Sequence, residues 1–150
     1  MVQRLASVLL ACVLALAAPA AAEEVSPEET LKRYLAAIQS QQFEKAYDLI
    51  TQGMRRGRSK EAWVKESQYV MAFSEAKIFD FKVGKAKVTA DKALVPNLLE
   101  SQDKFLNQLG VPEQEIYTLI KEEGAWKVDQ QKIAEGAELK EFFPEADKKP

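Results

Sequence analysis

Few residues in this chain have the reach to do chemistry. Its 150 residues include no histidine and one cysteine, Cys12. The usual side chains for zinc, copper or haem are therefore missing, and the sequence predicts no cofactor and no metal. The remaining candidates for proton transfer are Tyr34, Tyr47, Asp80 and Tyr117. Asp80 alternates with Phe79 and Phe81, so if those two rings point inward, Asp80 points to solvent. Tyr34 and Tyr47 lie within helical apolar stripes, where a tyrosine packs its ring in the core and sends its hydroxyl to a rim partner. With Trp63 and Tyr117 they are the candidates to line a pocket, and no residue is assigned a catalytic role. Trp126, like Trp63, is read either as core or as a pocket wall. The adjacent carboxylates Glu28-Glu29 and Glu122-Glu123 fall at element ends, where capping and turn solvation account for them, and their spacing gives no metal site.

One charged run stands apart from this background. Arg55, Arg56, Arg58 and Lys60 put four cations within six residues, in a loop that enters a helix. They form a candidate anion site, because the first turn of the next helix adds free N–H groups; the plainer reading is an exposed, solvated loop. Anionic lipid headgroups or cell-wall polymers would be its partners. Over the whole chain, 21 basic residues stand against 23 acidic ones. That balance does not point to nucleic acid.

The elements that must position these groups follow from punctuation and period. Arg4 precedes the uncharged run Leu5–Ala18, and Ala20-Ala21-Ala22 precedes Glu23. Residues 1–22 thus read as a signal peptide cleaved after Ala22. A retained membrane anchor is the alternative, and Leu9-Leu10-Ala11-Cys12 is a poor match to a lipoprotein box, which leaves lipidation at Cys12 open. Cleavage removes the only cysteine. A periplasmic or secreted, disulfide-free domain is expected at 23–133, with a tail at 134–150. Ser26-Pro27-Glu28-Glu29 starts a helix with a cap, a proline at the first position and a capping box, and Leu31, Tyr34, Leu35 and Ile38 form its stripe. Phe43, Ala46, Tyr47 and Ile50 predict a short second helix. Gly53 and Gly57 mark a loop, and Ser59 caps a third helix carrying Trp63, Val70 and Met71.

From Glu75 the period becomes two. Strands are expected at 77–83, 85–89, 92–99, 115–122 and 125–131, with Gly124 at the last hairpin turn. Pro96 argues for a bulge or an edge, and Ser101–Gln114 for a short inserted helix. The class is α+β, with N-terminal helices packed on one face of an antiparallel sheet. Leu94 and Leu98 lie opposite Ala93, Val95 and Leu99, so both faces of the sheet need apolar cover. A second copy of the chain, or the tail with Leu139, Phe142 and Phe143, would supply it.

Residues 27–50, with Pro-Glu-Glu-Thr-Leu-Lys-Arg-Tyr-Leu-Ala-Ala-Ile and then Phe-Glu-Lys-Ala-Tyr-Asp-Leu-Ile, resemble the opening of secreted proteins of the nuclear transport factor 2-like superfamily. Tyr117–Val128, in which Trp126 follows the Gly124 turn, resembles that group's closing hairpin. The resemblance implies a cystatin-like cone: a curved sheet wrapped around a long helix, with an apolar cavity. Members include isomerases, dehydratases, ligand binders and interaction domains, so the fold does not choose a function. Enzymes of the group hold an acid–base Asp or His in the cone with a Tyr or Asp partner, and no such motif matches here. The reading favoured is an exported, non-enzymatic module that binds a small apolar ligand in the cone or an envelope protein on its sheet, with a homodimer as a possible form. The alternative is a cofactor-free isomerase or hydrolase using a carboxylate and a tyrosine. No stable membrane insertion is expected after cleavage.

Overall fold

A computed structural model describes residues 24–105 and 111–145. The leader at 1–22, with Cys12, lies outside the described residues, as does the Lys148-Lys149-Pro150 end. Helix α1 spans Pro27–Gln39. The Ser26 side chain caps it by accepting from the Glu29 N–H at 3.1 Å, and Leu31, Tyr34 and Leu35 are buried along one stripe. Helix α2, Phe43–Asp48, buries Phe43 and Ala46. The segment after it is stitched to the sheet: the Thr51 N–H donates to Val128 O at 2.9 Å, and the Val128 N–H donates to Leu49 O at 2.8 Å. A one-turn helix α3 follows at Gln52–Arg55, capped by Thr51, whose hydroxyl accepts from the Met54 N–H. The loop expected around Gly53 is therefore helical in its first half. Helix α4, Lys60–Ser74, starts at the expected cap Ser59 and buries Trp63 and Val64.

The sheet is antiparallel, with strands β1 (Lys77–Val83), β2 (Lys87–Thr89), β3 (Lys92–Gln102), β4 (Glu113–Glu122) and β5 (Ala125–Ile133). Its order is β1-β3-β4-β5, and β2 also pairs with β3. β1 and β2 share one edge of the long strand β3: β1 meets residues 97–102 and β2 meets 92–94. Pro96 falls at the gap between them. Only Gly84 reaches it there, donating its N–H to Pro96 O at 2.8 Å, so the missing proline N–H faces a place where no strand asks for it. A Cβ on Gly84 would lie 2.8 Å from Pro96 Cγ, which is why a glycine stands at this crossing. Glu28 closes the same gap by accepting from the Ala86 N–H at 2.9 Å.

One expectation needs correction. Phe79 sits in a bulge between Ile78 and Asp80, which takes it off the face it was expected to share with Phe81, and it is exposed. Asp80 is exposed as expected. The inserted helix expected within 101–114 falls on residues 106–110, which lie outside the described residues; β3 runs on to Gln102 and β4 begins at Glu113. In the tail, Ala137–Phe142 forms a helix, α5.

Helix α1 packs on the inner face against β1, β3 and β5. Between them Phe43, Ile50, Ala93, Val95, Leu119 and Val128 make the center of the core. The outer face also carries buried groups, Pro96 and Ile116, paired across β3 and β4. Helix α5 lies over this face. Glu141 pairs with Lys87 on one edge of the sheet, Glu138 pairs with Lys132 on the other, and Phe142 and Phe143 line a pocket together with Leu98 and Gln114. The tail thus lies across the face for which cover was expected from it or from a second copy.

Candidate functional site

The strand register brings one polar cluster into the apolar interior. On β4, Glu115, Tyr117 and Leu119 alternate on the inner face. Asn97 of β3 stands opposite Glu115, and Gln131 of β5 opposite Tyr117. Glu115 and Asn97 are both 0% exposed. Three donors converge on the Glu115 carboxylate: Asn97 Nδ2 donates to Oε2 at 2.9 Å, Gln131 Nε2 donates to Oε1, and the Tyr117 hydroxyl donates as well. No Lys or Arg pairs with Glu115 among the described residues. Burial, which disfavours the charged form, outweighs the three donors and raises the Glu115 carboxyl above its ordinary value. Tyr34 packs edge-on against Tyr117, with ring centroids 6.4 Å apart. Burial, with the nearby Glu115 charge, pushes the Tyr34 phenol up to about 12; the same causes raise Tyr117 further. Asn97 Oδ1 is buried with no donor.

The four pocket candidates divide into two pairs. Tyr34 and Tyr117 join Glu115 in the interior. Tyr47 and Trp63 meet edge-on at 5.8 Å near the surface, where the arginine run begins. That run is largely engaged by its own neighbours. The Arg55 guanidinium lies 4.3 Å from the Tyr47 ring centroid and donates to Tyr47 O at 3.2 Å. Arg58 pairs with Glu66 at 2.9 Å, and Lys60 with Asp48 at 2.8 Å. The Tyr47 hydroxyl donates to Arg58 O at 3.0 Å, tying the loop to α2. Arg56 is exposed, stands in the left-handed region at φ 51°, and has no side-chain partner among the described residues. The structure does not bring the four cations onto one anion.

A groove of about 660 Å³ lies beside Trp63 and the arginine loop. Its walls include Met54 of α3, Trp63 of α4, Arg56 and Arg58 of the loop between them, and Asp129 and Gln131 of β5. Asp129 sits in a β5 bulge, and its Oδ1 accepts from the Thr51 hydroxyl at 2.7 Å. Gln131 belongs to both places, being exposed in the groove while its amide reaches inward to Glu115.

Glu115, Asn97 and Gln131 are the site residues that sequence reasoning missed. A signal for the first was present, since Glu115 precedes Tyr117 by two positions and a strand places such residues on one face. Sequence patterning also overlooked an exposed aromatic row away from the groove: Tyr69 stacks on Phe73 at 5.9 Å, and Phe73 lies 6.0 Å from Phe105.

No protein-family model matches the sequence, and no curated protein does either. Solved structures do resemble its fold. A SEC-C motif containing protein from Rhodopseudomonas palustris is 13% identical with a TM-score of 0.56, over 74% of this chain and 80% of that one. Bd1075 of Bdellovibrio bacteriovorus is 14% identical with a TM-score of 0.50, over 71% of this chain; the match spans 39% of that protein's length. A nuclear transport factor 2-like protein from Cytophaga hutchinsonii is 15% identical with a TM-score of 0.49, over 69% and 89% of the two chains. The described residues form helices followed by a five-strand antiparallel sheet, an α+β fold. At these identities the likeness is one of fold and leaves function open.

Proposed function

We propose that this protein is a non-enzymatic binding module whose small ligand occupies the groove between α3, α4 and β5. The observation that carries this reading is the closure of Glu115. A general acid or base must reach its substrate proton directly or through one water, whereas Glu115 is 0% exposed and its oxygens receive three internal donors. The interior of the cone is filled by the chain's own side chains, Leu31, Tyr34, Phe43 and Tyr117 among them, so the groove offers a ligand more room than the cone. Its mixture of charges, amides and one indole suits a polar ligand better than the purely apolar one that the sequence suggested.

The reading includes export. It is supported by the Arg4, Leu5–Ala18 and Ala20–Ala22 pattern. Native mass spectrometry of the protein purified from its source cells tests the function. We expect a bound small molecule that is lost on Trp63→Ala. Recovery of only the unliganded mass would count against it.

A second reading, acid–base catalysis in the cone, is favoured by the pairing of a buried carboxyl with Tyr117. It requires turnover that Glu115→Gln abolishes, and a bound molecule recovered chemically unchanged argues against it.

A further inference from the structure

We propose that the groove takes a sugar acid, a ring of hydroxyls bearing one carboxylate, with the carboxylate on Arg56 and the hydroxyls on the β5 wall. This rests on the ligand-binding reading above and names the ligand class. The volume of about 660 Å³ falls within the range of small-molecule sites, about 300–1,000 Å³. Arg56 is the starting observation. It holds a left-handed backbone position, φ 51° and ψ 42°, that glycine would fill without strain. Its side chain nevertheless has no partner among the described residues, so the arginine gives the fold nothing in return for that strain. Arg58, also in the lining, pairs with Glu66 at 2.9 Å. That leaves the groove one free guanidinium fork, the group best shaped to hold a carboxylate.

The other polar groups divide by wall. On the α4 side, Trp63 is 8% exposed and its indole N–H has no acceptor among the described residues, an unmet donor of the kind a bound oxygen answers. On β5, Asp129 accepts from the Thr51 hydroxyl through Oδ1 at 2.7 Å and keeps Oδ2 unengaged among the described residues. Gln131 has its amide N–H on Glu115, which leaves its carbonyl oxygen to accept. One wall therefore donates and the other accepts. A hydroxyl does both, so a polyol meets the two walls at once, where an ammonium serves only β5 and an alkyl chain serves neither. Met54 adds an apolar surface for the C–H side of a sugar ring. Asp129 also sets the charge of the ligand. With one free cation and one carboxylate in the lining, a singly charged anion is matched and a dianion meets repulsion.

Glucuronate, glucose, hexanoate, glucose phosphate and alanylalanine, titrated calorimetrically into protein purified from its source cells and dialysed free of small molecules, test the proposal. Glucuronate should bind about tenfold or more tightly than glucose, which lacks the carboxylate, and than hexanoate, which lacks the hydroxyls. Glucose phosphate, close to doubly charged near neutral pH, should bind more weakly than glucuronate, as should the zwitterionic dipeptide. Arg56→Ala should bring glucuronate down to the level of glucose; the side chain is exposed and unpaired among the described residues, so the fold survives the change. Arg56→Lys, which keeps the charge and loses the fork, should restore only part of the preference. Unchanged binding of glucuronate by the Arg56→Ala variant, no preference over glucose or hexanoate, or tighter binding of the phosphate or the dipeptide overturns the proposal. So does the absence of bound glucuronate at about 10 mM. If the sugar acid fails while a molecule copurified from the source cells is lost on Trp63→Ala, the ligand class is wrong and the binding module stands. If neither is found, both readings fall.

Discussion

Replacing Glu115 by alanine removes the acceptor on which three donors converge. Gln131 is exposed and turns to water, but Asn97 and Tyr117 are 0% and 2% exposed and have no solvent to turn to. Each stranded buried donor costs about 1–3 kcal/mol, so the pair costs about 2–6 kcal/mol. Relief from burying a carboxylate works the other way and brings the net loss to about 2–4 kcal/mol. At about 4 °C per kcal/mol for a domain of this size, the melting point should fall by roughly 8–16 °C. Glu115→Gln keeps one acceptor oxygen and should lose less. It also isolates the charge. Burial raises the folded Glu115 above its ordinary value of 4.5, so the folded state holds this proton more tightly than the unfolded state. The carboxyl's stabilising contribution is therefore complete below pH 4.5 and is lost as pH rises through the folded value. Thermal melts monitored by circular dichroism should show the unaltered protein gaining on Glu115→Gln as pH falls from 7 toward 4.5. A constant gap, or a loss on acidification, would show that the three donors overcome burial and hold the carboxylate charged, which would refute the reasoning.

Deleting residues 134–150 should uncover the outer sheet face around Pro96 and Ile116 and cause association in sedimentation velocity; a soluble monomer would show that α5 is not the cover. Gly84→Ala should cost about 1–3 kcal/mol in chemical denaturation, because the new Cβ meets the stiff Pro96 ring at 2.8 Å, and an effect under about 0.5 kcal/mol would mean the gap between β1 and β2 yields freely. The proposed export predicts an intact mass corresponding to a chain beginning at Glu23, whereas a lipidated chain beginning at Cys12 would overturn the proposed processing.

Local signals carried the reading where an element is decided by its own neighbours. Ser26 and Ser59 cap the helices they were expected to cap, and Gly124 turns the last hairpin at φ 78° because a left-handed position there favours glycine. Pro96 was expected to mark a bulge or an edge, yet it sits in the interior strand β3, paired in regular register with Ile116; what tolerates it is a gap between β1 and β2, which is not visible in the residues around it. The arginine run looked like one site because its residues are adjacent in sequence. Its partners, Tyr47, Asp48 and Glu66, come from helices on either side and disperse it. Glu115 escaped notice for the opposite reason. Between Gln114 and Ile116 it reads as the polar end of a strand, and its meaning depends on Asn97 and Gln131, which only the register of three strands brings within reach.

Nuclear magnetic resonance mapping tests the central claim, that ligand is bound unchanged in the groove between α3, α4 and β5. Isotopically labelled protein would be mixed with the small-molecule extract of its source cells and its amide and indole signals followed. The account predicts shifts centred on Gly53, Trp63, Asp129 and Gln131, with every component of the extract recovered intact. Shifts confined to Leu98 and Phe142 on the outer face, or the chemical conversion of a component by the protein, would contradict it.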